Sequence, residues 1–192
     1  MSRPYVGTLL LLSSLLLLEG SGGIRPEAAS NALENGTLEL AGRDANPARS
    51  PLSASDVASM LGRANPELSQ KERDQIGTAV VRYGRKYELE PELVLAVILV
   101  ESGGRPWARS PKGAMGLMQV MPQHNIRLGL TGNAATIESN IEAGCEILAA
   151  NISRLGEERG ILTYFWGGDI RGDAYLERVQ AARAEVRRWF DS

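Results

Sequence analysis

"ELVLAVILVESGG", Glu92–Gly104, sets eight consecutive apolar residues, Leu93–Val100, directly before a glutamate. Pro91 precedes the stretch and suits a first helical position, since its ring presets φ and its missing N–H would be unpaired there anyway. Gly103 and Gly104 follow and suit a helix end. A helix that is apolar on nearly every side belongs in a core, so the stretch predicts a central buried helix. Glu101 closes it. Ile98, Val97 and Val94 lie three, four and seven residues earlier, on the same helical face as this carboxyl. Two readings stand side by side. Either the helix surfaces here and the carboxylate meets water, or the acid is partly desolvated, and burial and the negative helix end both raise its pKa.

The same periodicity extends in both directions. Upstream, Ser69 and Glu72 form an S-x-x-E capping box, and Ile76, Val80 and Tyr83 repeat at helical spacing, which predicts a helix from about Gln70 to Lys86. Downstream, Ile137, Ile141, Gly144, Leu148, Ile152 and Leu155 mark one face of a long helix, where Gly144 allows a neighbour to approach closely. Val179, Ala182, Val186 and Trp189 mark a final helix. Strand signals are nearly absent. Helices joined by short loops, plus one long connection from Ser102 to Thr136, describe a small mostly-α domain.

Composition is that of a soluble globular protein, with 43% apolar residues, 23% charged residues and a net charge of −2 over 192 residues. From Ser53 onward 17 Lys/Arg face 18 Asp/Glu. No basic excess is left to neutralise phosphates, which argues against nucleic acid as a partner. At the start, one Arg precedes an apolar stretch, Val6–Leu18, and small residues follow. A helix of that length rises about 20 Å, short of a hydrocarbon core of about 30 Å. The stretch therefore reads as a secretory signal, residues 1–22, rather than a stable membrane span. Residues 23–65, rich in Ser, Ala, Asn and Pro without sustained period, read as a linker or loosely ordered arm in which "SASDVASMLGR" forms one helical turn or two. The ordered helical domain is expected over 66–192. The lone cysteine, Cys145, excludes an intramolecular disulfide and reads as a small buried hydrophobe. The lone histidine, His124, has no Cys or second His with which to share a metal.

Past Glu101 the chain reads "ESGGRPWARSPKGAMGLMQVMP", and this resembles the signature of the soluble lytic transglycosylase (SLT) family. The match lies in Glu101-Ser102, Ser110-Pro111, Gly113-Ala114 and "GLMQVMP", together with "YELEPELVLAVILVES" upstream and "SNIEAGCEIL" downstream. It covers roughly Pro66 to Val186. The resemblance implies a goose-type lysozyme-like helical fold and an enzyme that cuts the glycan strands of bacterial peptidoglycan, with Glu101 as the acid. It also carries over Ser110, Gln119, Met121 and Tyr164 as residues around the glutamate and the sugar. A hydroxyl and an amide can hydrogen-bond an acetamido group, and Met offers an adaptable apolar wall. Gly113 and Gly116 read either as turns that bring backbone close to substrate or as flexible loop positions, and Met118 as core. Where the family shows Ala-Tyr-Asn-Ala-Gly, this chain has "LTYFWGGD", so Tyr164 matches the family tyrosine and Phe165 stands where Asn is expected. Phe165 and Trp166 read as core or as sugar-stacking aromatics. Tyr175 resembles the tyrosine near the family's last helix, with packing an equally good reading.

Conventional glycosidases use two carboxyl groups. Between Ser102 and Ile137 there is none. The resemblance implies a route that needs one: Glu101 protonates the bond between N-acetylmuramic acid and N-acetylglucosamine, then accepts the proton of the muramoyl C6 hydroxyl, leaving a 1,6-anhydromuramoyl end. No metal or organic cofactor is required. A hydrolytic muramidase using the same site and a catalytically weak scaffold that binds peptidoglycan are the alternatives. The expected compartment is the periplasm or the exterior. Docking to an envelope-spanning secretion or appendage machine would have to run through the arm before Asn65 or through a partner.

Overall fold

In a computed structural model of the chain, residues 52–122 and 136–191 are described. Six α-helices run through them: α1 Ala54–Ala64, α2 Gln70–Lys86, α3 Pro91–Ser102, α4 Ile137–Leu155, α5 Glu157–Trp166 and α6 Ala174–Phe190. Among the described residues the only β pairing is two isolated bridges, Arg109 with Met115 and Met115 with Val120. The fold is mostly α, as expected. The apolar stretch Val6–Leu18 and His124 lie outside the described residues. Among those described, no helix is long and apolar enough to cross a membrane.

α2 is capped as its sequence predicts, with the Ser69 hydroxyl accepting from the Glu72 N–H and the Glu72 carboxylate accepting from the Ser69 N–H. α3 begins at Pro91 and ends at Gly103, which takes the left-handed conformation (φ 61°) and donates its N–H to the Leu99 carbonyl. Leu93–Ile98 are buried on all sides, so α3 is the centre of the core. It packs against α2 and α6.

Two ties set α3 antiparallel to α6. At its start, Glu90 pairs with Arg183 and with Arg187 (2.9 Å). At its end, Glu101 meets Tyr175 from the first turn of α6. Eleven residues separate Glu90 from Glu101, about 16 Å of helix, so the two ties hold both ends of α3. Arg183 also pairs with Glu157 at 2.7 Å, which ties α5 to the same brace.

Two elements depart from the expected layout. The arm expected over 23–65 does not run to Asn65. Ala54–Ala64 forms α1, a helix of 11 residues with a capping box of its own, Ser53 and Asp56. Val57 and Leu61 are wholly buried and belong to the main core. The physical reason is a four-residue apolar stripe, Val57, Ala58, Met60 and Leu61, at helical spacing inside a Ser- and Ala-rich composition. Beyond α1, Asn65 turns inward and donates its side-chain N–H to the Gly104 carbonyl (3.3 Å), so α1 is fastened to the segment just past Glu101. The second departure is α5, which no periodicity in the sequence announces. It is only ten residues long, and Gly160 interrupts its apolar pattern. That glycine is a packing site, since a Cβ there would lie 2.7 Å from the Ile152 backbone of α4.

Candidate active site

The segment after α3 is wound tightly on itself. The Ser110 N–H donates to the Ala114 carbonyl (2.9 Å) and the Gly113 N–H donates to the Ser110 carbonyl (3.0 Å). Met115 and Val120 exchange both backbone bonds, at 3.1 and 3.0 Å. Gly116 donates to Ala108 at 2.9 Å. This loop is locked from outside by Asn140 of α4, which is buried at 2% exposure. Its Oδ1 accepts from the Met118 N–H (2.9 Å) and its Nδ2 donates to the Met115 carbonyl (2.8 Å). Gly116 has φ 76° and faces Asn140, so that a Cβ would lie 2.5 Å from the amide. Its role is to admit Asn140, where the sequence suggested an approach to substrate. Met118 is core, as expected, and its side chain fills the space over Gly144.

Glu101 sits in the last turn of α3, half-buried. Burial pushes its carboxyl pKa up from the ordinary value, while the Tyr175 hydrogen bond and the charge of Arg178 pull it down, and burial prevails. Tyr175 is 2% exposed and its hydroxyl donates to Glu101 Oε1 at 2.6 Å. Burial and then the Glu101 charge push the Tyr175 hydroxyl far above its usual pKa, so it remains a donor at any pH of interest. Tyr164 stands nearby. Burial first and the Glu101 charge second raise its pKa, and its hydroxyl donates to the Met118 carbonyl at 2.7 Å. The acid is thus flanked by two tyrosines. One holds the carboxyl, and the other holds the loop.

The remaining expected site residues are arranged differently. The Ser110 hydroxyl oxygen accepts from the Ala114 N–H (3.0 Å), which leaves its proton to donate. Gln119 is left-handed at φ 49°, a conformation that costs a non-glycine residue about 1 kcal/mol or more. Its Nε2 donates to the carbonyls of Ala108 (3.2 Å) and Gly116 (2.9 Å), and these bonds offset that strain. Only Oε1 of Gln119 is left to receive a ligand. Met121 is half-buried where the loop leaves. Phe165 is 45% exposed, so it is not core. Its ring stacks on Tyr175 at 4.5 Å and 14°. Cys145 is wholly buried, and burial drives its thiol pKa up, as befits an inert side chain. Among the described residues no group of three or more His, Cys, Asp or Glu is placed to hold a metal ion.

The family model described as the transglycosylase SLT domain matches residues 79–184, more than half of the chain. The chain belongs to that family. The SLT match takes in Glu101, the wound loop, Asn140, both tyrosines and Phe165. Among curated relatives, the transglycosylase of Enterobacteria phage PRD1 is 42% identical over 83 residues, 43% of this chain and 31% of the relative. The endo-type membrane-bound lytic murein transglycosylase A of Klebsiella pneumoniae is 34% identical over 97 residues, 47% of this chain and 48% of the relative. The chain therefore spans about a third of the phage protein and about half of the Klebsiella one. Among solved structures, an inactive mutant of lytic transglycosylase Slt from Pseudomonas aeruginosa matches with a TM-score of 0.41 and 25% identity, over 57% of this chain and 22% of that one.

Sequence reasoning left Tyr175 undecided and did not single out Arg178 or the loop-locking role of Asn140. A tyrosine on one helix and a glutamate 74 positions away carry no joint signal in a single sequence, and only the antiparallel packing of α3 on α6 unites them.

Proposed function

We propose that the chain is a peptidoglycan lytic transglycosylase in which Glu101 acts first as acid and then as base. The observation that carries the reading is a half-buried carboxyl, raised in pKa, whose Oε1 is occupied by the Tyr175 hydroxyl. With the Tyr175 hydroxyl donating to Oε1, the acid proton is placed on Oε2, the oxygen that would face substrate. A raised carboxyl pKa favours the protonated form that general acid catalysis needs.

Glu101 Oε2–H protonates the oxygen between N-acetylmuramic acid and N-acetylglucosamine, and the muramoyl C1–O bond breaks with its electron pair leaving on that oxygen. The substrate's acetamido group helps hold the cationic C1. The carboxylate, steadied by the Tyr175 O–H, then removes the C6 hydroxyl proton as O6 bonds to C1. Glu101 ends protonated again, and no water is consumed. Ser110, Gln119 and Met121 keep their place as substrate contacts through the Ser110 hydroxyl proton, the Gln119 Oε1 and the Met121 side chain. Tyr164 acts through the Met118 carbonyl that it holds.

The domain layout follows the sequence reading with one revision: an export signal over 1–22, an arm, and a catalytic unit that already includes α1. The reaction would then take place in the periplasm or outside the cell, on glycan strands, with a secretion or appendage machine as a further partner. Mass spectrometry of the ends released from purified sacculi tests the activity. Ends lighter by one water than the hydrolytic product are expected; reducing N-acetylmuramic acid ends would instead make the enzyme a muramidase.

A further inference from the structure

Arg178 is exposed and lies one helical turn beyond Tyr175 on α6. Its guanidinium carbon is 5.7 Å from the Tyr175 ring centroid and 6.0 Å from the Phe165 centroid. Both distances fall within the range of a cation–π contact. The Tyr175 ring that it flanks ends in the hydroxyl bound to Glu101 Oε1, and the charge of Arg178 is felt at the Glu101 carboxyl. Arg178 makes no salt bridge among the described residues, whereas Arg171, Arg183 and Arg187 each have a carboxylate partner. A planar cation braced on aromatic rings, with its hydrogen-bonding edge unclaimed, is a preorganised carboxylate receptor. Phe165 adds an aromatic surface, 45% exposed, on the same assembly.

We propose that Arg178, held by the Phe165–Tyr175 stack, is a specificity-determining residue that binds a carboxylate carried by the glycan next to the bond presented to Glu101. The inference rests on the glycan reading of the site and deepens it. In muramoyl glycans the carboxylate comes either from the lactyl ether, where no peptide is attached, or from the stem peptide. Phe165 supplies the apolar surface for the sugar itself.

Calorimetric binding to the full chain carrying Glu101→Gln, which removes turnover, separates these cases. The probes are chitotetraose, which has no carboxylate; a peptide-free muramoyl tetrasaccharide; and the same tetrasaccharide with its stem peptides. Adding Arg178→Met is expected to weaken binding of one acidic probe by about fivefold to tenfold, more at low salt than at high. The probe affected identifies the source of the carboxylate. Arg178→Lys, which keeps the charge, is expected to retain most of the binding, and chitotetraose should be indifferent to both changes. Equal loss on chitotetraose, equal loss with lysine, or no loss on either acidic probe overturns the proposal while leaving the glycan site standing. If the Glu101→Gln chain binds none of the three, the glycan reading itself fails, and this inference goes with it.

Discussion

Glu101→Gln is expected to reduce the release of muropeptides from purified sacculi by about 10²- to 10⁴-fold, the usual contribution of a positioned general acid. Gln matches Glu in shape and can still accept the Tyr175 hydrogen bond, so the change removes the transferable proton and little else. Stability should move the other way. A carboxyl whose pKa is higher in the folded than in the unfolded protein binds its proton more tightly when folded. It therefore destabilises the fold progressively as pH rises from the unfolded value through the folded one. The neutral amide escapes that penalty, so the melting temperature of the variant near neutral pH should equal or exceed that of the parent. Loss of activity together with loss of stability would point to a structural glutamate. Unchanged release would falsify the assignment of the acid.

Asn140→Ala is expected to lower stability by about 3 kcal/mol, because it strands the Met118 N–H and the Met115 carbonyl in a buried site, each at a cost of about 1–3 kcal/mol. The loop that carries Ser110 and Gln119 loses its outside lock, and the space under Gly116 is vacated. Release from sacculi should fall by about 10- to 100-fold even where the protein remains folded, since small displacements of positioning groups cost that much. Urea denaturation and a sacculus assay at a permissive temperature check the two parts. A loss of under about 1 kcal/mol would mean that water or a shifted loop takes over both bonds.

The difference between what was legible in advance and what was not lies in the range of the forces involved. Capping and periodicity act over one or two helical turns, so the box at Ser69 and Glu72, the start at Pro91 and the end at Gly103 can all be read directly. Gly144 was legible as a close approach, though the chain alone could not identify Met118 as the neighbour. α1 is hard to read because the Ser, Ala and Asn around it resemble a linker, although Val57 and Leu61 stand at core spacing. α5 escaped because its glycine exists for α4. The partners of Glu101 arise from tertiary packing alone. Tyr175 reaches it because α3 packs antiparallel on α6, with Glu90–Arg183 fixing the register at the far end. Phe165, for which core was one of two readings, is half outside, with its stacking partner Tyr175 the buried ring of the pair.

The central claim is that burial keeps the Glu101 carboxyl protonated above the range of an ordinary carboxylate, against the opposing pull of Tyr175 and Arg178. Its most direct measurement is a carbon-13 NMR titration of the Glu101 side-chain carboxyl in the folded protein, repeated with Tyr175→Phe. A midpoint above 4.5, the ordinary value, and higher still when the Tyr175 hydroxyl is absent, is the predicted result. A midpoint at or below that value in the parent protein would contradict it.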